Sequence, residues 1–140
     1  MNAAPIGIFD SGIGGLSVAR EIRQRLPAER LLYLADAAYC PYGGRSLEEI
    51  RTRSHEVVGE LVRRGAKLIV VACNSASGAA LESLREQFDL PIVGLEPAIK
   101  PAVARSRSGR VGVLATAATL QTERCRRLVE RYAADAELIQ

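Results

Sequence analysis

Aromatic side chains are scarce: two Phe, four Tyr and no Trp in 140 residues. Single-stranded nucleic-acid binding wants stacking aromatics beside a concentrated basic stripe. The stripe is missing as well. Lysine is almost absent, with only Lys67 and Lys100, and the arginines are scattered among acids, as at Arg51, Arg53 and Glu56. The nearest cluster is Arg124, Arg126, Arg127 and Arg131. The net charge of +3 and the pI of about 9.0 therefore read as solvated helix faces. They suit an anionic small molecule equally well, and no nucleic-acid partner is expected. No apolar run reaches the ~20 residues of a membrane span, so no membrane partner is expected either. Met1 to Pro5 lacks a basic region followed by an apolar block, so no secretory leader is expected and a cytoplasmic location is the default. Three cysteines, Cys40, Cys73 and Cys125, are odd in number and lack metal-ligand spacing. Reduced thiols are expected, not a disulfide framework. The one histidine, His55, is expected on the solvent face of a helix.

Apolar residues make up 48% of the chain, which places it among globular proteins with a real core. The central stretch is Leu68 to Ser77. Leu68, Ile69, Val70 and Val71 form a continuous apolar run, as in a strand buried on both faces of a parallel sheet. Asn74, Ser75 and Ser77 then offer helix N-caps. Cys73 thus falls where a buried strand ends and a helix begins. That edge of an open parallel sheet is where ligands bind, and the N–H groups and dipole of a helix start favour a thiolate. A small buried cysteine closing a core strand is the alternative.

Taken in order, Pro5–Phe9 reads as a strand, Asp10–Gly15 as a glycine-rich turn, and Leu16–Leu26 as a helix stopped by Pro27. The turn suits an anion at the helix start, but it lacks the Gly-Lys-Ser/Thr of a P-loop and its glycine spacing is wrong for a dinucleotide fingerprint. Asp10 and Ser11 could equally cap the helix. Arg30–Ala35 is a strand and Asp36–Arg45 a loop. Ser46 with Glu49 forms a capping box for a helix that runs to Arg64 and closes at Gly65. Lys67–Ala72 is a strand and Asn74–Gln87 a helix. Pro91–Leu95 is a fourth strand, and a helix opening at Glu96–Ala98 runs to Arg105. Arg110–Ala115 is a fifth strand, one helix runs from near Thr119 to Ala134, and Ala136–Ile139 starts a sixth strand.

Alternating strands and helices predict an α/β fold, an open parallel sheet flanked by helices. Right-handed crossovers would bring the strand ends to one edge. Asp10, Ser11, Tyr42, Gly43, Cys73, Asn74, Ser75, Thr116 and Thr119 would then meet around a small anionic, hydrogen-bonding ligand.

Five segments carry a resemblance: Gly7-Ile-Phe-Asp-Ser-Gly-Ile-Gly-Gly-Leu-Ser-Val18, Pro41-Tyr-Gly43, Ala72-Cys-Asn-Ser-Ala-Ser77, Gly94-Leu-Glu-Pro-Ala-Ile-Lys-Pro101 and Gly112-Val-Leu-Ala-Thr-Ala-Ala-Thr119. Together, in this order, they resemble the glutamate racemases of the cofactor-independent aspartate/glutamate racemase superfamily. The resemblance implies two similar α/β domains with the active site between them. It implies a two-base reaction at the α-carbon of glutamate, with no cofactor and no metal. One cysteine thiolate removes the proton from one face and a second thiol returns one to the other. D-Glutamate for peptidoglycan, and so the cell wall and cell shape, is the implied product. Cys73 matches the first cysteine. Asp10 matches the carboxylate that assists it and lies near the substrate ammonium. Ser11, Tyr42, Gly43, Asn74 and Ser75 match substrate contacts, and Thr116 and Thr119 match hydroxyls of the facing domain. A homodimer is implied for the full enzyme.

The chain departs from the family pattern in three places. Position 75 is Ser where Thr is commoner, and position 115 is Ala where Gly is expected. The second catalytic cysteine belongs to a Cys-Thr-His segment that these residues lack. Cys125 lacks that context, as does Cys40, and both read as incidental. In this reading residues 1–97 hold most of the first domain and residues 98–140 the truncated start of the second. The chain is then expected to be a fragment, inactive alone. An aspartate-type racemase, a non-catalytic anion-binding protein and an interaction protein using the Arg124–Arg131 helix are the alternatives.

Overall fold

The computed structural model describes residues 3–134 and 136–139. Four parallel strands form the main sheet: β1 (Ile6–Asp10), β2 (Leu31–Ala35), β3 (Leu68–Val71) and β4 (Ile92–Gly94), in the order β2-β1-β3-β4. β1 is central and pairs Ile8 with Tyr33 on one side and with Val70 on the other. Helices α1 (Leu16–Arg25), α2 (Leu47–Arg63) and α3 (Asn74–Gln87) make the crossovers.

The strand runs are apolar throughout because both sheet faces are covered. Ile6, Ile8, Val70 and Ala72 point to one face, against Val18, Ala19 and Ile22 of α1. Phe9, Ile69 and Val71 point to the other, against Ile50, Val57, Val58 and Leu61 of α2 and Leu81 and Leu84 of α3. This is the period of two expected of a strand. The Ser46–Glu49 capping box is formed in both directions, at 3.2 and 2.9 Å. Gly65, at φ 81°, closes that helix in the left-handed region.

A second, two-stranded parallel sheet pairs β5 (Arg110–Gly112) with β6 (Glu137–Ile139). Ile99 of α4 (Ile99–Arg105) packs there with Cys125 and Leu128. Among the described residues no helix is long and apolar enough to cross a membrane.

Three expectations need correction. The single helix from Thr119 to Ala134 is two: α5 (Ala117–Leu120) and α6 (Glu123–Tyr132). Thr116 Oγ1 accepts from Thr119 N–H and Thr122 Oγ1 from Cys125 N–H, both at 3.2 Å. Each threonine thus starts a new helix by capturing a backbone donor. The fifth strand ends at Gly112, so Leu114 and Ala115 leave the sheet; Leu114 is fully exposed. His55 does not face solvent. Its ring stacks on Phe88, with centroids 6.1 Å apart, and its Nε2 is 2.8 Å from Ser83 Oγ, between α2 and α3.

Candidate active site

Parallel pairing sends the C-terminal ends of β1, β2 and β3 to one edge of the sheet. At that edge lies a cavity of about 420 Å³. All nine residues singled out from the sequence line it: Asp10, Ser11, Tyr42, Gly43, Cys73, Asn74, Ser75, Thr116 and Thr119. Cys40 and Leu114 line it too.

Cys73 is itself the N-cap of α3, a role the sequence reading gave to the residues after it. Ala76 N–H donates to its sulfur at 3.5 Å. The N–H groups of Asn74 and Ser75, the first two of the helix, remain at the cavity edge, where helix geometry leaves donors without an intrahelical acceptor. The thiol reaches Ser11 Oγ at 3.6 Å. Asp10 ends β1 and is buried. Its Oδ2 accepts from Gly15 N–H at 2.9 Å and from the Tyr33 hydroxyl at 3.4 Å. That hydroxyl also reaches the Gly12 carbonyl at 3.0 Å. Burial first, then the neighbouring Asp10 carboxylate, pushes the Tyr33 phenol up to about 12.

Tyr42 lines the cavity from a 3-10 turn over Tyr42–Gly44. Its hydroxyl is spent elsewhere, donated at 2.7 Å to Asp36 Oδ2. Arg53 of α2 donates to the same carboxylate through Nε at 3.1 Å and Nη2 at 2.7 Å. Burial would raise the Asp36 pKa, but the hydrogen bonds from Arg53 and Tyr42 outweigh it and hold the carboxyl below its usual range. Burial and the Asp36 hydrogen bond together push the Tyr42 phenol far above its ordinary value.

On the far wall three hydroxyls meet. Ser75 Oγ is 2.9 Å from Thr116 Oγ1 and 3.1 Å from Thr119 Oγ1, and the two threonine oxygens are 3.0 Å apart. Three protons can serve the three edges of that triangle in a ring. Gly43 lies against it so closely that a Cβ there would sit 2.7 Å from Thr116 Cγ2. A glycine is required here by space.

Among the described residues, no lysine or arginine lines the cavity. Donors for an anion are therefore backbone N–H groups, hydroxyls and the Asn74 amide. All three cysteines are free. Cys125 is buried in α6, and that burial pushes its thiol up. Cys40 is exposed at the cavity wall. Tyr33, Asp36 and Arg53 were missed from the sequence. A sequence signal for Asp36 exists: it follows β2 as Asp10 ends β1, at the same sheet edge.

A family model described as Asp/Glu/Hydantoin racemase matches residues 6–139. The chain is 55% identical over 137 residues to a glutamate racemase of Pseudomonas paraeruginosa, covering 97% of this chain and 52% of that protein. It is 61% identical over 120 residues to one of Deinococcus radiodurans, covering 86% and 41%. Among solved structures, it superposes at a TM-score of 0.89 on Escherichia coli glutamate racemase in complex with L-glutamate and the activator UDP-MurNAc-ala. There the identity is 42%, over 96% of this chain and 52% of that one. The Aquifex pyrophilus glutamate racemase gives 0.85 at 43% identity, over 96% and 54%. The chain thus spans about half the length of the curated relatives it matches.

Proposed function

The chain belongs to the Asp/Glu/Hydantoin racemase family, and on that premise we propose that it carries one catalytic half of a glutamate racemase. The observation that carries the reading is the one cavity that gathers all nine residues, lined by both a helix-capping thiol and a buried carboxylate. The similarity to an L-glutamate-bound relative supports the substrate.

In this reading the Cys73 thiolate takes the α-proton of glutamate. Asp10 lies by the substrate ammonium and assists the thiol. The electron pair left at the α-carbon spreads into the carboxylate. Ser11, Asn74, Ser75 and the Tyr42–Gly43 backbone hold that charge, as fixed donors do in any oxyanion site. The start of α3 adds its dipole. Residues 1–97 form this wall, and Thr116 and Thr119 contribute from the facing unit, residues 98–140. A second thiol outside these 140 residues delivers a proton to the opposite face. The 140 residues alone therefore do not racemise glutamate. The product is D-glutamate for peptidoglycan in the cytoplasm, made by a homodimer without cofactor.

The test is α-proton exchange of L- and D-glutamate in deuterated water, on the full-length protein and on its Cys73→Ser variant. Exchange and racemisation that vanish in Cys73→Ser support the reading. A folded native protein that exchanges neither enantiomer overturns it.

A further inference from the structure

We infer that Asp36 is a positioning residue: it touches no substrate itself, and it holds the Tyr42–Gly43 wall of the cavity in place through the Tyr42 phenol. The inference rests on the glutamate reading above.

Asp36 follows β2 and is not among the cavity-lining residues. It is nonetheless buried and joined to three elements. Its N–H donates to the Asp10 carbonyl at 2.9 Å, which ties it to the end of β1. Its carboxylate accepts from Tyr42 at 2.7 Å, which ties it to the 3-10 turn. Both oxygens accept from Arg53, which ties it to α2. The Arg53 guanidinium also lies 3.7 Å from the Tyr39 ring centre, and Arg45 Nε donates to the Tyr39 carbonyl at 2.8 Å. The loop thus closes on its own first residue.

The chemistry demands a carboxylate here. All three side-chain contacts are donors, and an ionised carboxylate is acceptor-only. An amide would turn an N–H₂ toward Arg53 or Tyr42 and lose at least one contact. Tyr42 cannot compensate, because it is buried and packed edge-on against Phe9 at 6.2 Å. Loss of the carboxylate therefore frees the turn that carries Gly43. That glycine is the point where this wall meets Thr116. What changes is the width of the cavity, and the Cys73 thiol is left as it was.

The experiment compares Asp36→Ala, Tyr42→Phe and the double variant in the full-length protein. Each single variant is expected to lower kcat/KM for glutamate about tenfold, as loss of one charge-assisted hydrogen bond does. The double variant should be no worse than the weaker single one, because both remove the same contact. Amide exchange at Arg45, whose N–H donates to the Tyr42 carbonyl at 3.0 Å, should quicken in all three. Additive effects on kcat/KM would mean that the phenol meets substrate directly and would overturn the inference. Faster Arg45 exchange with kcat/KM unchanged would overturn it as well. Native protein that leaves glutamate untouched, seen before any substitution is made, overturns the parent reading and this one with it.

Discussion

Adding one methyl group at Gly43 tests the close approach of the two cavity walls. In Gly43→Ala the new Cβ would lie 2.7 Å from Thr116 Cγ2 and 2.8 Å from Thr116 Cβ. Carbon atoms rest at about 3.5 Å or more, so the walls must part by about 0.8 Å. Neither side gives easily. Thr116 is β-branched and stiff, and its Oγ1 is held by Thr119 N–H, Ser75 and Thr119 Oγ1. The turn is held from behind by the Tyr42–Asp36 bond. Overpacking of this kind costs about 1–3 kcal/mol, readable as a lower urea midpoint at unchanged slope. Displacing substrate-binding groups by nearly 1 Å is expected to reduce exchange at the glutamate α-carbon by about 10²-fold. Thr116→Ser in the same background removes Cγ2 and should recover part of both losses. Wild-type stability and exchange in Gly43→Ala would refute the reasoning, since the walls would then be free to separate.

The cavity and its surroundings carry two further predictions. The Tyr33 phenol has a folded-state pKa raised from 10.0 to about 12. A raised pKa contributes stability that is complete below the unfolded value and lost as pH climbs through the folded one. Urea midpoints should therefore fall between about pH 10 and 12, and Tyr33→Phe should flatten that fall; an equal fall in the variant would sink the assignment. Because no lysine or arginine lines the cavity among the described residues, KM for glutamate should rise little between low and moderate salt. A steep rise in KM would show that substrate meets a screened cationic surface.

Much of the fold was legible in the chain because its signals are local and periodic. Residues 68–71 are apolar at every position, and β3 is packed on both sides by helices. Asn74–Gln87 is helical over the expected span. Ser46 and Glu49 sit three residues apart and bond as their spacing requires. The break at Gln121 was less visible, because Thr122 is a permissible helix residue. It acts as a cap where the chain turns beside Gly78 of α3, whose added Cβ would lie 2.4 Å from Thr122 Cγ2. His55 looked exposed because its neighbours in sequence are charged; its partners, Ser83 of α3 and Phe88 just after it, are remote in sequence.

The division within the site follows the same physics. Which residues stand at strand ends was set by the sequence, through hydrophobic runs that stop at Asp10 and Cys73. Which of them share hydrogen bonds was decided by packing alone. Ser75 and Thr116 are 41 residues apart, and Asp36 and Arg53 are 17 apart. A periodic pattern can say that a side chain is buried, because burial depends on the face it occupies. It cannot name the partner, because a hydrogen bond forms only where two elements have been brought within about 3 Å of each other, and the whole fold determines that distance.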